Sequence, residues 1–277
     1  MNEELLLSVS EIALCAGTKI MEFYGDRHFS LKEDQSPVTQ ADIVASEYIC
    51  RALKDITPYA TSSEENALSY EERKNLECFW LIDPLDGTKG FIECSHGFSV
   101  NIALIVHNQP TLGVVYAPAL QQFYCGLKNY GAFCITENLQ EVSSTNLKSY
   151  WQKMDGESKC PTRTPLACDS AHHSSEQTRA FIKRYQLQSV IRDSSLKICA
   201  LANGEADLYP RFCGTKEWDT AAADIILQET GGIILDIHTK QPLCYNKKNV
   251  KNPYFVAFSR GQVGGWIYND FIKNNWD

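Results

Sequence analysis

The fold and the chemistry of this chain are decided by Trp80-Leu81-Ile82-Asp83-Pro84-Leu85-Asp86-Gly87-Thr88-Lys89-Gly90-Phe91. An apolar run delivers two carboxylates, a turn and a hydroxyl to one place. Asp83 and Asp86 offer the hard oxygen ligands that Mg²⁺ prefers. Pro84 has no amide hydrogen, so the chain is expected to turn away from the strand there, and Gly87 permits a positive φ. The segment therefore predicts a metal site at a strand end, with the Thr88 hydroxyl beside it to orient a water.

Of three other interpretations of this segment, the residues exclude an EF-hand, fit an aspartyl-nucleophile phosphatase poorly and leave an ordinary turn open. An EF-hand loop starting at Asp83 needs Gly at its sixth position and Glu at its twelfth, but these hold Thr88 and Cys94. An aspartyl-nucleophile phosphatase typically shows Asp-x-Asp-Gly-Thr, and Pro84 stands where its first Asp belongs. An ordinary type I turn, which favours Asp, Pro and Gly, stays open on the segment alone.

The composition limits the class of protein. The chain has 277 residues, of which 44% are apolar, enough for one large core or two closely packed domains. Its 26 basic and 34 acidic residues give a net charge of −8 without a basic stripe, so no nucleic-acid polymer is expected as a partner. Metal ions can still invert the local field for an anionic ligand.

The eleven cysteines include no Cys-x-x-Cys pair, which argues against a thiolate zinc site and for reduced thiols in the cytoplasm. Glu3 and Glu4 stand where a signal peptide would carry basic residues, so no secretory leader is expected. No apolar run approaches the length of a membrane span, so no transmembrane segment is expected either.

Hydrophobic periodicity predicts five helices and seven strands. The helices are Leu5–Phe23, Ala41–Leu53, Glu176–Tyr185, Leu196–Asn203 and Thr220–Gln228. The strands are Cys78–Ile82, Phe98–Val106, Leu112–Tyr116, Phe123–Gly126, Ala132–Ile135, Ile233–Asp236 and Tyr254–Phe258. A polar stretch, Glu137–Thr164, predicts a connection between two domains. We expect an N-terminal α+β domain of antiparallel strands at 1–160 and a C-terminal α/β domain at 161–277.

Three further acidic sites share the character of the first segment. Asp42 follows Ser36-Pro37-Val38-Thr39 at a helix start, Glu64 and Glu65 follow two serines, and Asp219 opens another helix after Trp218. Each acid alone is typical of a helix cap or first turn, where the helix dipole favours a negative charge.

Together, in this order and spacing, these segments resemble the inositol monophosphatase superfamily of Mg²⁺-dependent, lithium-sensitive phosphatases, over nearly the whole chain. Within it the chain is most similar to the CysQ branch, the 3′(2′),5′-bisphosphate nucleotidases. The narrower resemblance rests on these stretches: Asp83–Phe91, Val100–Ile105, Leu112–Pro118, Ser194–Lys197 and Leu208–Arg211 before Trp218-Asp219.

The resemblance implies a layered αβαβα sandwich with the metals at the junction of its halves. The implied reaction removes the 3′-phosphate of adenosine 3′,5′-bisphosphate to leave AMP, with the sulfated nucleotide as a further substrate. The implied partner is thus a small nucleotide rather than a polymer. The branch also implies a monomer in the cytoplasm, with peripheral contact at the cytoplasmic face of the inner membrane as an option.

The resemblance implies two Mg²⁺ ions. Glu64, Asp83 and the backbone carbonyl of Leu85 would hold the first, and Asp83, Asp86 and Asp219 the second.

The resemblance also assigns catalytic roles. Thr88 would orient the attacking water, and Asp42 would accept the Thr88 hydroxyl proton. Glu65 would act as a base behind the metal ligands or bind a weaker third metal through water.

The implied substrate contacts include cations that an inositol phosphatase does not need, Lys197 and Arg211, which would neutralise the 5′-phosphate. Relatives often carry Ser-Arg-Ser-His where this chain has Ser170-Ala171-His172-His173, so an arginine is missing there. The full expected set of substrate contacts is Glu64, Leu85, Asp86, Gly87, Thr88, Ser170, His173, Ser195, Lys197, Arg211 and Asp219.

Two competing functions stay open at this point. The same metal site would serve an inositol monophosphatase or a sugar bisphosphatase. A catalytically silent metal- or nucleotide-binding module is the other alternative, although a silent protein need not retain Thr88 beside the acids.

Overall fold

The computed structural model describes residues 1–137, 139–143, 146–160, 164–171 and 174–276. The α-helices of this part are α1 (Glu3–Met21), α2 (Gln40–Ile56), α3 (Tyr70–Arg73), α4 (Thr88–Ile92), α5 (Glu176–Arg184), α6 (Leu196–Ala202), α7 (Ala221–Glu229) and α8 (Trp266–Lys273). The strands are β1 (Ser30–Leu31), β2 (Pro37–Val38), β3 (Ala60–Ser63), β4 (Cys78–Asp86), β5 (Ser99–Val106), β6 (Gln109–Ala117), β7 (Gln122–Leu127), β8 (Gly131–Ile135), β9 (Gln152–Met154), β10 (Leu166–Asp169), β11 (Gln188–Ile191), β12 (Leu208–Arg211), β13 (Ile233–Asp236) and β14 (Phe255–Phe258).

Two large sheets organise these elements. The first has seven strands in the order β3-β4-β5-β6-β7-β8-β9, and the second has five in the order β11-β10-β12-β14-β13. A small hairpin, β1-β2, stands apart. The strands expected in this half pair antiparallel, but β3, an edge strand that the sequence did not predict, runs parallel to β4. Hydrophobic periodicity does not predict β3, because Ser62 and Ser63 are polar although both are buried.

Strand alternation builds the first three layers. In β4, Trp80 and Ile82 pack with α1 and α2 on one face, while Phe79 and Leu81 pack with α6 and α7 on the other. Successive side chains of a strand point to opposite faces, so an unbroken apolar run such as this one is buried on both sides.

The second sheet adds the remaining layers. Tyr209 and Phe255 turn towards α6 and α7, whereas Leu208 and Val256 turn towards α5 and α8. The order is therefore α1/α2, first sheet, α6/α7, second sheet, α5/α8, which confirms the predicted αβαβα sandwich. The first sheet ends at β9 and the second begins at β10, on either side of the domain boundary proposed near residue 160.

Pro84 does not end its strand as expected. β4 continues to Asp86, with a shift in register against β5 between Asp83 and Asp86. A bulge accommodates the missing amide hydrogen of proline, because the ladder is already interrupted there. The turn comes three residues after Pro84, at Gly87, whose φ is +95°.

No helix in the described ranges has both the length and the apolar character that crossing a membrane requires. No disulfide joins the cysteines of these ranges.

Candidate active site

Three carboxylates converge where the layers meet. Oxygen atoms of Glu64, Asp83 and Asp219 all lie within 4.8 Å of one another. Glu64 follows β3, and its backbone N–H donates to the Ile82 carbonyl at 2.9 Å, which sets it beside Asp83 on β4. Asp219 arrives from the other half of the chain, at the end of the 3₁₀ turn Glu217–Asp219 that leads into α7. The two halves of the chain therefore share this acidic cluster.

The strand bulge shapes the cluster. The Leu85 N–H donates to Asp83 Oδ1 at 3.1 Å, which fixes that carboxylate within the bulge. The left-handed Gly87 then starts α4, whose first residue is Thr88. The sequence thus brings Asp83, Asp86 and Thr88 together at the C-terminal end of β4, as the motif predicts.

Electrostatics distinguish this cluster from an ordinary set of caps. Burial raises the pKa of Asp83 well above its usual value, and the charges of Glu64, Asp86 and Asp219 add to that effect. Burial, together with the Asp86 charge, raises the pKa of Asp219 to about 8. Crowded carboxylates of this kind suit a bound divalent cation, which replaces their mutual repulsion by attraction. The donor set, all oxygen, fits Mg²⁺.

A second feature is the hydrogen-bonded pair of Thr88 and Asp42. The Thr88 hydroxyl donates to Asp42 Oδ1 at 3.0 Å, and its alternative acceptor, the Leu85 carbonyl, lies at 3.2 Å. Asp42 Oδ2 accepts from the Thr39 N–H at 2.8 Å and the Thr39 hydroxyl at 2.6 Å. Burial raises the pKa of Asp42, and these donors oppose that rise. With its hydrogen directed at Asp42, the Thr88 oxygen is left as an acceptor for a water molecule.

Two lysines outside the predicted set of site residues contact the acids. Lys32, after β1, lies 2.7 Å from Glu65 and 3.3 Å from Glu64. Lys216 lies 3.3 Å from Glu64 as well. No sequence signal pointed to Lys32, which lies in a polar loop far along the chain from its partners. Glu65 is thus ion-paired, and it does not line the cavity described next.

A cavity of about 590 Å³ opens over the cluster and reaches the second sheet. Two buried cations, Lys197 on α6 and Arg211 on β12, line it. Neither has a carboxylate within ion-pair distance in the described ranges: the Lys197 ammonium donates to the Arg192 carbonyl at 3.4 Å, and an Arg211 Nη donates to the Gly214 carbonyl at 3.3 Å. The Arg211 Nε has no hydrogen-bond partner there. An anion would satisfy these donors.

The other expected substrate residues divide into three groups. Leu85, Gly87 and Ser170 line the cavity. Ser195 lines it too, but its hydroxyl donates to Asn101 Oδ1 at 2.7 Å. His173, like its neighbour His172, lies outside the described residues. Asn101 was missed as a functional candidate, although it is a polar residue inside an apolar strand motif.

Comparisons with known proteins identify the family to which this chain belongs. The profile of the inositol monophosphatase family matches residues 1–260. The chain belongs to the inositol monophosphatase family. Enzymes of this family are generally Mg²⁺-dependent, and the cluster of Glu64, Asp83 and Asp219 is an acidic site able to hold such an ion.

Relatives within the family share most of the chain. The 3′(2′),5′-bisphosphate nucleotidase CysQ of Haemophilus influenzae is 38% identical over 262 residues, covering 92% of this chain and 93% of that protein. CysQ of Escherichia coli K12 is 36% identical over 257 residues, covering 91% and 98%. The crystal structure of CysQ from Bacteroides thetaiotaomicron superposes with a TM-score of 0.83 at 32% identity, covering 93% of this chain and 98% of that one.

Proposed function

We propose that this protein is a Mg²⁺-dependent 3′(2′),5′-bisphosphate nucleotidase, which hydrolyses the 3′-phosphate of adenosine 3′,5′-bisphosphate to give AMP and phosphate. One observation carries the proposal: a single cavity holds an acidic cluster together with two buried cations, Lys197 and Arg211, that lack carboxylate partners in the described ranges. The similarity to proteins named as such nucleotidases supports it.

The paired cations favour a substrate with two phosphates. The acidic cluster accounts for one phosphate, because a carboxylate site accepts it only through bound metal. Lys197 and Arg211 then account for a second anionic group, the 5′-phosphate. Inositol monophosphate offers no second phosphate and would leave both buried charges uncompensated.

The metal ligands in this proposal are Glu64, Asp83, the Leu85 carbonyl, Asp86 and Asp219, with two Mg²⁺ ions and a weaker third at Glu65. Bound Mg²⁺ supplies charge that neutralises the phosphate oxygens and lowers the pKa of the attacking water.

The protein's own groups position the reactants. Thr88 accepts a hydrogen bond from the attacking water, because its own hydrogen is held by Asp42. The amides of Gly87 and Thr88 lie at a turn where they can donate to phosphate oxygens. The water oxygen bonds to phosphorus as the bond to the 3′-oxygen breaks. One water proton stays on the phosphate product, and the other ends on the 3′-oxygen, which leaves as the ribose hydroxyl. Ser170, His173 and Ser195 complete the proposed nucleotide contacts. The sulfated nucleotide, with the same 3′-phosphate, is the proposed second substrate.

We place this activity in the cytoplasm, where cysteines that form no disulfide stay reduced. We also propose a monomer, with any contact to the inner membrane peripheral.

The test is phosphate release with Mg²⁺ from adenosine 3′,5′-bisphosphate, inositol 1-phosphate and fructose 1,6-bisphosphate. We expect kcat/KM for the nucleotide to exceed the others by roughly 100-fold, about 2.7 kcal/mol of differential transition-state binding. Adenosine 3′-monophosphate serves as the matched control, because it lacks the 5′-phosphate alone. A preference for either of the other substrates refutes the nucleotide assignment, and no turnover of any substrate favours a silent binding module.

A further inference from the structure

Asn101 joins the two halves of the site through one buried side chain. It lies on β5, directly opposite Asp83 in the strand register, and is 1% exposed. Its Oδ1 accepts the Ser195 hydroxyl at 2.7 Å and the Ser99 hydroxyl at 3.3 Å. Its Nδ2 donates to Asp86 Oδ2 at 3.4 Å. One amide therefore contacts a carboxylate of the acidic site and a residue from the other half of the chain.

Asp86 receives further donors from the same direction. The Ser195 N–H donates to Asp86 Oδ2 at 2.9 Å, and the Ser194 hydroxyl donates to the Asp86 carbonyl at 2.9 Å. Because the Ser195 N–H and the Asn101 amide both engage Oδ2, the other carboxylate oxygen of Asp86 is left for the cavity. The same bonds fix the segment Ser194-Ser195, which leads after one residue to Lys197.

We propose that Asn101 is a positioning residue that fixes Asp86 relative to the segment carrying Lys197. The two anion-recognising parts of the cavity are thereby held at one spacing, which suits a substrate whose two phosphates are separated by a ribose. The link to Lys197 rests on the proposed function, whereas the link to Asp86 does not. Groups that orient a metal ligand typically change metal affinity or activity by about 10–100-fold when removed.

The alternative role for Asn101 is structural, because a buried serine hydroxyl needs an acceptor whatever the site does. Ser99 offers a matched control for that role. It is equally buried on the same strand and bonded to the same Asn101 oxygen, but no bond joins its side chain to Asp86. Its other bond, to the Ser195 hydroxyl at 3.0 Å, leaves the Ser195 N–H on Asp86 intact.

The first experiment measures Mn²⁺ binding by electron paramagnetic resonance in the wild type, Asn101→Ala and Ser99→Ala, without substrate. We expect Asn101→Ala to bind Mn²⁺ at least tenfold more weakly, and Ser99→Ala to stay within about twofold of the wild type. Asn101→Thr covers the case in which the alanine variant does not fold. Threonine suits a strand but has no atom beyond the γ position to reach Asp86.

The second experiment compares kcat/KM for adenosine 3′,5′-bisphosphate with that for adenosine 3′-monophosphate. We expect the preference for the bisphosphate to fall at least fivefold in the Asn101 variants and to persist in Ser99→Ala.

Two results would overturn the inference. The first is an Mn²⁺ affinity that does not change in the Asn101 variants while their thermal stability falls. The second is weaker Mn²⁺ binding with an unchanged preference, because Asn101 would then act on Asp86 only. If the wild type binds Mn²⁺ but shows no preference for the bisphosphate, the proposed function is refuted, and so is the part of the inference that connects Asn101 to Lys197. The Mn²⁺ affinities of the variants then still decide whether Asn101 positions Asp86.

Discussion

Thr88 is the residue whose proposed role is easiest to separate from metal binding. Its hydroxyl donates to Asp42 at 3.0 Å and lies outside the cluster of Glu64, Asp83 and Asp219. We expect Thr88→Ala to lower kcat at least tenfold, about 1.4 kcal/mol in the barrier, with little change in the Mg²⁺ concentration for half-maximal rate. Thr88→Ser keeps the hydroxyl and should retain most of the rate. An unchanged kcat in the alanine variant would remove Thr88 from the mechanism.

The titration of Lys197 should make the turnover of adenosine 3′,5′-bisphosphate, but not that of adenosine 3′-monophosphate, depend on pH. Burial lowers the pKa of Lys197 to about 8, against the pull of the Asp86 carboxylate. Its positive charge is therefore lost as the pH rises through about 8, and the second phosphate loses its partner. We expect the ratio of kcat/KM for adenosine 3′,5′-bisphosphate to that for adenosine 3′-monophosphate to fall above this pH.

The ratio removes any titration of the metal site, because both substrates share that chemistry. Lys197→Arg is the control, since a guanidinium keeps its charge throughout this range. Its ratio should stay level up to about pH 9. A wild-type ratio that does not change between pH 7 and 9 would contradict the assignment of Lys197 to the 5′-phosphate.

At the residue scale, motifs in the sequence predicted the acidic residues of the site. Residues that reach the site only through contacts between segments far apart in the chain were not predicted. Asp83, Asp86 and Thr88 are close in the chain, so a bulge and a turn suffice to bring them together. Lys32 reaches Glu65 only through the folded chain, and no spacing rule could find that pair.

Among the elements, the turn from β4 into α4 depends most on one residue. Gly87 has a φ of +95°, and a Cβ there would lie 2.5 Å from the Ser194 hydroxyl, which donates to the Asp86 carbonyl. Gly87→Ala should therefore cost both backbone strain, about 1–2 kcal/mol, and the displacement of Ser194. We expect a lower free energy of unfolding in urea, together with a reduced kcat.

Gly25 separates the two costs. Its φ is +99°, yet a Cβ there would meet nothing within 4 Å. Gly25→Ala should show the strain alone, with kcat unchanged. If the two alanine variants have equal free energies of unfolding and both keep full activity, then Ser194 can move away from the added Cβ without disturbing the active site.

Helices and strands were predicted correctly where the apolar residues of a segment follow a single helical or strand periodicity. The helix expected at Leu5–Phe23 corresponds to α1, which runs two residues further towards the N-terminus, at Glu3–Met21. The strand expected at Ile233–Asp236 matches β13 residue for residue. The prediction failed at β3, where buried serines carry no apolar pattern, and at Pro84, where a bulge lets the strand continue. Strand order within each sheet depends on long-range pairing, which local periodicity does not encode.

At the scale of the whole molecule, we expect the acidic cluster to couple metal binding to folding. Asp83 belongs to the first sheet and Asp219 to the 3₁₀ turn before α7, so the repulsion between them opposes the packing of the two halves. A ligand that binds only the folded state at 100 times its Kd stabilises that state by about 2.7 kcal/mol. For a chain of this size we expect saturating Mg²⁺ to raise Tm by roughly 5 °C over the EDTA-treated protein.

The pH dependence of this gain follows from the raised carboxyl pKa values. The folded pKa of Asp219 is about 8, whereas an unfolded Asp titrates near 3.9, so between these values the metal-free folded state binds more protons than the unfolded state. Its stability therefore falls as the pH rises through this window. We expect the Mg²⁺-dependent rise in Tm, measured by calorimetry, to be larger at pH 8 than at pH 5.

Two asparagine variants make this test specific. Asp83→Asn removes one charge from the cluster, so the metal-free protein should gain stability while most of the Mg²⁺-dependent rise in Tm and nearly all turnover are lost. Asp224→Asn is the matched control, because this buried carboxylate on α7 accepts from the Tyr245 hydroxyl at 2.8 Å and from Gln228 at 2.9 Å, outside the cluster. Its Mg²⁺-dependent rise should equal that of the wild type. If Asp83→Asn keeps the full rise, or retains more than about a tenth of kcat, the cation is not held by Asp83.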